Sequence, residues 1–131
     1  MQLNVGLLGG GSWGTTVAAL ISRNAPVMLW ARDAATVHEI NTDRQNSRYL
    51  EGYTLPPNMR ATADMGEAVR GADVLVMGVP SQNFRAVLMD VRQHIRPWVP
   101  VISLTKGFEL DTGKRMTEVI MELLPGHPVG V

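Results

Sequence analysis

The sequence predicts an α/β domain, a doubly wound and mostly parallel sheet with helices on both faces. Three observations carry that expectation. Short apolar runs of strand length alternate along the chain with stretches of period 3.6. The first run passes straight into a glycine cluster, "LLGGGSWG", that opens a helical pattern. In the first forty residues a strand, a helix and a second strand follow one another with short connections, as in a parallel crossover. At 131 residues the chain is the size of one domain, 1–131, with enough mass to bury a single core.

The elements follow in order. Asn4 to Leu8 reads as a buried strand. From Ser12 the period changes to that of a helix, with Trp13, Val17, Leu20 and Ile21 on one face as the expected buried stripe, and Asn24 and Pro26 end it. Val27 to Ala31 is a second apolar strand, so the opening residues form a right-handed crossover unit. A weaker helix is expected from about Ala34 to Asn41. The stretch "NSRYLEGYTLPPN" has Gly52, Pro56, Pro57 and Asn58 and no clean period, which predicts a long surface loop.

Arg60 to Ala63 reads as a short strand. Asp64 then stands where it can accept from first-turn amides of a short helix, with Glu67 placed to reach back. After a turn at Gly71, Val74 to Val79 is a strand. A helix begins near Ser81, its stripe formed by Phe84, Val87, Leu88, Val91 and Ile95, and Pro97 ends it. Val99 to Leu104 is the next strand. Met116, Val119, Ile120 and Leu123 mark a last helix, closed by Pro125, and "HPVGV" begins one more strand.

Composition narrows the function. Lysine plus arginine and aspartate plus glutamate each number 12, so no overall field favours nucleic acid or an anionic membrane. Any bound anion must be held locally. There is no cysteine, which excludes disulfides and thiolate metal sites and fits a reducing compartment. The start carries no basic segment ahead of an apolar one, and no run approaches the roughly 18 apolar residues needed to cross a bilayer, so a cytoplasmic location is expected. His38, His94 and His127 are scattered, and no carboxylate cluster offers a metal site.

The chemistry sits in "GGGSWG". Gly9-x-Gly11-x-x-Gly14 matches the dinucleotide fingerprint, in which each glycine has a steric reason. Gly9 turns the chain sharply off the strand, Gly11 leaves the backbone bare where a pyrophosphate approaches, and Gly14 lets the helix pack close to the sheet. The helix then aims its free amides and positive dipole end at the phosphates. Such triplets also occur by chance in glycine-rich turns. Here the strand before and the helix after supply the context the motif needs, and the fold expected is Rossmann-type.

A second determinant belongs at the end of the second strand, where an acid bonds ribose hydroxyls and an arginine accepts a 2′-phosphate. The chain has Arg32 followed by Asp33. Arg32 favours NADP(H), by bidentate pairing with phosphate, while Asp33 keeps NAD(H) open. Trp13 fits either a core indole or a cofactor contact. Lys106, at the carboxyl end of the fifth strand, fits either a solvated lysine or a cation for a phosphate or a developing alkoxide.

Taken in order, "GGGSWGTT", "LWAR", "INTDRQNSRYLEG", "LPPN", "VPSQ" and "SLTKGFELDTG" resemble the amino-terminal half of bacterial-type NAD(P)-dependent glycerol-3-phosphate dehydrogenases. The resemblance implies reversible hydride transfer between a nicotinamide cofactor and the carbon that is a ketone in dihydroxyacetone phosphate and an alcohol in sn-glycerol 3-phosphate, a precursor of phospholipids. It implies that Gly9, Gly11, Ser12, Trp13 and Gly14 hold the cofactor, that Arg32 meets its adenosine end, and that Lys106 touches cofactor and substrate. It also implies a homodimeric full-length enzyme.

Two departures stand out. Tyr49-Leu50-Glu51-Gly52 replaces the usual Tyr-Leu-Pro-Gly, and the family's second, helical domain, with the lysine that serves as general acid or base, is not in this chain. The chain is therefore expected to be the cofactor-binding half of a longer enzyme and to hold no general acid or base of its own. Two alternatives remain. One is a stand-alone nucleotide-binding regulatory module. The other is the first domain of a 6-phosphogluconate or ketopantoate type dehydrogenase, against which Lys106-Gly107-Phe108-Glu109 argues.

Overall fold

The computed structural model describes residues 2–131. Six strands form one sheet: β1 (Val5–Leu8), β2 (Val27–Trp30), β3 (Met59–Thr62), β4 (Val74–Met77), β5 (Val101–Ser103) and β6 (Val129–Gly130). Their order is β3-β2-β1-β4-β5-β6 and every pairing is parallel. Val5 is in register with Val27 on one side and Val74 on the other. The chain thus leaves β1 toward one edge and returns to build toward the other, which makes the gap beyond β1 and β4 the topological switch point.

Five helices complete the winding: α1 (Ser12–Ile21), α2 (Ala34–Asp43), α3 (Met65–Arg70), α4 (Ser81–Val91) and α5 (Met116–Leu123). Successive residues of a strand point to opposite faces, and β1 shows it: Leu7 and Leu8, both fully buried, join different cores. Leu7 packs with Ala18 and Ala19 of α1 and Ile40 of α2. Leu8 packs in the larger core, built from α3, α4 and α5 around Phe84, Leu88 and Ile120. The doubly wound architecture expected from the alternation is the one observed.

One expectation fails in an instructive way. The face of α1 turned to the sheet is Gly14, Thr15, Ala18 and Ala19, followed by Ser22, and not the stripe of large residues. Trp13 is 60% exposed and Leu20 49%, while Val17 and Ile21 are half-buried. The cause is distance. A Cβ added at Gly14 would lie 2.2 Å from the Gly9 carbonyl oxygen, so the innermost residues are small, Val17 and Ile21 pack at the margin of the core, and Trp13 and Leu20 turn outward.

Other boundaries shift for local reasons. α4 ends at Val91 instead of near Pro97, although the amides of His94 and Ile95 still donate to the Val91 carbonyl. That irregular last turn places Ile95 against the core at helical spacing. β5 is shorter than the apolar run because Pro100 has no amide to give the ladder. Asp64 caps α3 by accepting from the Gly66 amide at 2.9 Å, but Glu67 is exposed and makes no return bond among the described residues. The stretch after α2, which Arg44 ends in the left-handed region, is not wholly superficial: Asn46 and Leu55 are buried.

Candidate functional site

The carboxyl ends of β1, β2, β4 and β5 open onto one cleft of about 780 Å³, within the size range of cofactor sites. All of Gly9, Gly11, Ser12, Trp13, Gly14, Arg32 and Lys106 line it. The protein is neutral overall, yet the charged side chains on the cleft wall are Arg32, Arg48 and Lys106 against Asp33 alone. A local excess of positive charge is what a phosphate-bearing ligand requires of a chain with no net field.

The glycine loop is shaped by three separate contacts. Gly9 has φ +131°, and a Cβ there would also press on the Gly78 carbonyl oxygen at 2.6 Å. Its amide donates to the Trp30 carbonyl at 2.9 Å, which extends the β1–β2 pairing to the very lip of the cleft. Gly14 is the close-packing position described above. A Cβ at Gly11 meets nothing within 4 Å among the described residues, so the missing side chain there serves no packing need among them.

The end of α1 is equally telling. A helix leaves its first amides without intrahelical partners. Asp33 caps α2 and Asp64 caps α3, but two other helices that start at the cleft, α1 at Gly11 and α4 at Pro80, have no side-chain cap and no acid in their first turns, and only α1 is preceded by bare glycine backbone. The partial positive charge of that end and its free amides therefore face the cleft unopposed. Bare backbone at Gly11, an uncapped helix and a cationic wall fit the pyrophosphate of a dinucleotide.

At the end of β2, Arg32 is exposed on the cleft wall, and Asp33 beside it caps the next helix. One carboxylate oxygen of Asp33 accepts from the Ala35 amide at 3.1 Å, and the other accepts from the Thr36 hydroxyl at 3.0 Å. Those bonds hold the Asp33 carboxyl below the usual carboxylate range, and the Arg48 charge adds to the effect. Trp13 is not a core indole: it stands out from the first turn of α1 onto the cleft wall.

Lys106 is delivered by β5. The Thr105 hydroxyl donates to the Val79 carbonyl at 2.6 Å and the Leu104 amide to the Met77 carbonyl at 2.9 Å, which fasten the end of β5 to that of β4. Lys106 forms no ion pair among the described residues. The hairpin beyond it is stapled to the body by Arg85 of α4. That guanidinium grips Glu109 through Nε at 2.7 Å and Nη2 at 2.9 Å, and reaches Glu122 of α5 at 2.5 Å. Arg85 first, with Thr112 at Glu109 and Lys114 at Glu122, pulls both carboxyls down to about 2, so both stay ionised at ordinary pH.

Three residues of this region were not singled out by spacing: Arg85, Asn46 and Arg48. Asn46 is fully buried and donates from Nδ2 to the Gly10 carbonyl at 3.0 Å and the Thr15 hydroxyl at 2.9 Å. Its Oδ1 has no partner among the described residues. No local pattern marks such a bond, because its ends lie 36 and 31 residues apart.

Comparison with known proteins agrees with this geometry. The family model for the amino-terminal part of NAD-dependent glycerol-3-phosphate dehydrogenase matches residues 4–131. Glycerol-3-phosphate dehydrogenase (NAD(P)+) 2 of Sphingopyxis alaskensis is 71% identical over 131 residues, covering 100% of this chain and 39% of that protein. Glycerol-3-phosphate dehydrogenase (NAD(P)+) 1 of Mycobacterium tuberculosis is 52% identical over 126 residues, covering 95% of this chain and 37% of that one. The crystal structure of glycerol-3-phosphate dehydrogenase from Coxiella burnetii superposes with a TM-score of 0.90 at 28% identity, over 98% of this chain and 39% of its own. The chain thus spans about two fifths of the length of the relatives it matches.

Proposed function

Because the chain belongs to the family of the amino-terminal part of NAD-dependent glycerol-3-phosphate dehydrogenase, we propose that residues 1–131 are the cofactor-binding domain of an enzyme that interconverts dihydroxyacetone phosphate and sn-glycerol 3-phosphate. The observation that carries the reading is the bare, uncapped start of α1 at Gly11, opening into the cleft that also receives Lys106. When bound, the nicotinamide supplies or takes up the hydride.

The chain's own residues bind and orient. Gly9, Gly11 and Gly14 let the backbone close around a pyrophosphate, with Ser12 and Trp13 beside it on the first turn. Arg32 faces the adenosine end and favours NADP(H) over NAD(H) through bidentate pairing with a 2′-phosphate. Lys106 holds a fixed positive charge where a substrate phosphate or alkoxide oxygen comes to rest. Proton transfer falls to the part of the enzyme beyond this domain, whose relatives are more than twice as long. The full enzyme acts in the cytoplasm as a homodimer.

Two constructions of the same protein test this. Residues 1–131 bind NADPH yet give no reduction of dihydroxyacetone phosphate above background, and the full-length protein reduces it with loss of nicotinamide absorbance. Within the full-length protein, Lys106→Ala lowers kcat/KM for dihydroxyacetone phosphate far more than it weakens NADPH. Turnover by residues 1–131 at the full-length rate, or unchanged kinetics in Lys106→Ala, would contradict the assignment.

A further inference from the structure

The cleft has a second wall at its adenosine end, made by the loop after α2, and that wall has a cation with no role in the reading above. We propose that Arg48 is a specificity-determining residue, the partner of Arg32 in gripping a phosphate monoester on the adenosine ribose. The inference rests on the cofactor reading and sharpens it from a dinucleotide to the 2′-phosphorylated form.

Three observations converge on Arg48. It lines the same cleft as Arg32 and Asp33, from a different element, the loop after α2. Its charge contributes, last after the hydrogen bonds from Ala35 and Thr36, to lowering the Asp33 carboxyl, and neither Arg32 nor Arg48 forms an ion pair among the described residues. Its guanidinium also lies 5.1 Å from the centroid of the Tyr49 ring. Stacking of that kind orients the flat face and leaves the N–H edge for an anion. Asp33, the acid that would prefer ribose hydroxyls, already accepts one hydrogen bond at each oxygen from the first turn of α2.

The loop carrying Arg48 is also indexed to the phosphate loop. Asn46, two residues away and fully buried, binds the Gly10 carbonyl and the Thr15 hydroxyl. The distance between the pyrophosphate cradle and Arg48 is therefore set by a buried bond instead of by a free surface loop. A dianionic monoester between two guanidiniums gains charge-assisted bonds that a bare ribose hydroxyl cannot make.

Calorimetric titration of the full chain with NADPH, NADH and 2′,5′-ADP tests the proposal. Arg48→Gln weakens NADPH and 2′,5′-ADP by about tenfold or more and NADH by about twofold at most, and Arg48→Lys recovers part of the loss. Equal losses for NADPH and NADH would make Arg48 an adenine-stacking residue and overturn the proposal. No loss in either would overturn it as well. If the folded wild-type chain binds neither dinucleotide, the cofactor reading itself falls and takes Arg48 with it, an outcome distinct from a wild type that binds both without discrimination through Arg48.

Discussion

α1 and α4 both follow a parallel strand and both begin at the cleft, but they meet the sheet in opposite ways. α4 packs by bulk: Phe84, Val87, Leu88 and Val91 are all buried in the larger core. α1 packs by smallness, through Gly14, Thr15, Ala18 and Ala19, and turns Trp13 and Leu20 outward. The difference follows from what each helix does at its first turn. α1 must bring a bare backbone and free amides close to the strand ends, so every residue on its inner side is kept small. α4 also starts uncapped at the cleft, but on Pro80 instead of glycine, and its inner side fills volume.

The comparison is broken most severely on the α4 side. Phe84 is fully buried at the centre of the larger core, so Phe84→Ala is expected to cost about 3–5 kcal/mol. Denaturant unfolding measures it; a loss under 1 kcal/mol would mean that α4 does not depend on volume. On α1 the damaging change is the reverse one. Ala18 is fully buried under a closely approaching helix, and Ala18→Leu is expected to cost about 1–3 kcal/mol by overpacking. Should Ala18→Leu stabilise the fold, α1 would have slack against the sheet and the close-approach account would be wrong. The smallest effect belongs to Leu20, half out in solvent. Leu20→Ala is expected to change stability by no more than about 0.5 kcal/mol, whereas the 2–5 kcal/mol typical of a core leucine would return the large residues of α1 to the interior.

The same contrast explains how much could be read beforehand. α4 is legible because its buried stripe consists of the residues that register as hydrophobic, Phe84 to Val91, and so is α5, with Met116, Val119, Ile120 and Leu123 all buried. The strands are legible because parallel strands covered on both faces are continuous apolar runs. In α1 the spacing of Trp13, Val17, Leu20 and Ile21 is real, but hydrophobicity speaks of preference and not of room. Gly14 leaves no room on the sheet side.

At the site, Gly9, Gly11 and Gly14 could be read from sequence because spacing within a tight turn fixes geometry locally. Arg32 and Lys106 could be placed because strand ends mark the cleft. Asn46 and Arg48 could not, since their neighbours are reached across the fold and the loop holding them has no period. The Arg85–Glu109 grip is hidden for the same reason, with 24 residues between its ends.

The loop at the start of α1 is shaped for an anion and not for the protein's own packing, and Gly11 is the residue at which the two can be separated. Its backbone, at φ −76° and ψ −175°, is extended and open to any residue, and a Cβ there touches nothing among the described residues. Gly11→Val should therefore melt within a few degrees of the wild type while binding of NADPH falls below detection in calorimetric titration, because the branched side chain fills the space where a pyrophosphate must lie. A folded Gly11→Val chain that binds NADPH with near-normal affinity would contradict the account.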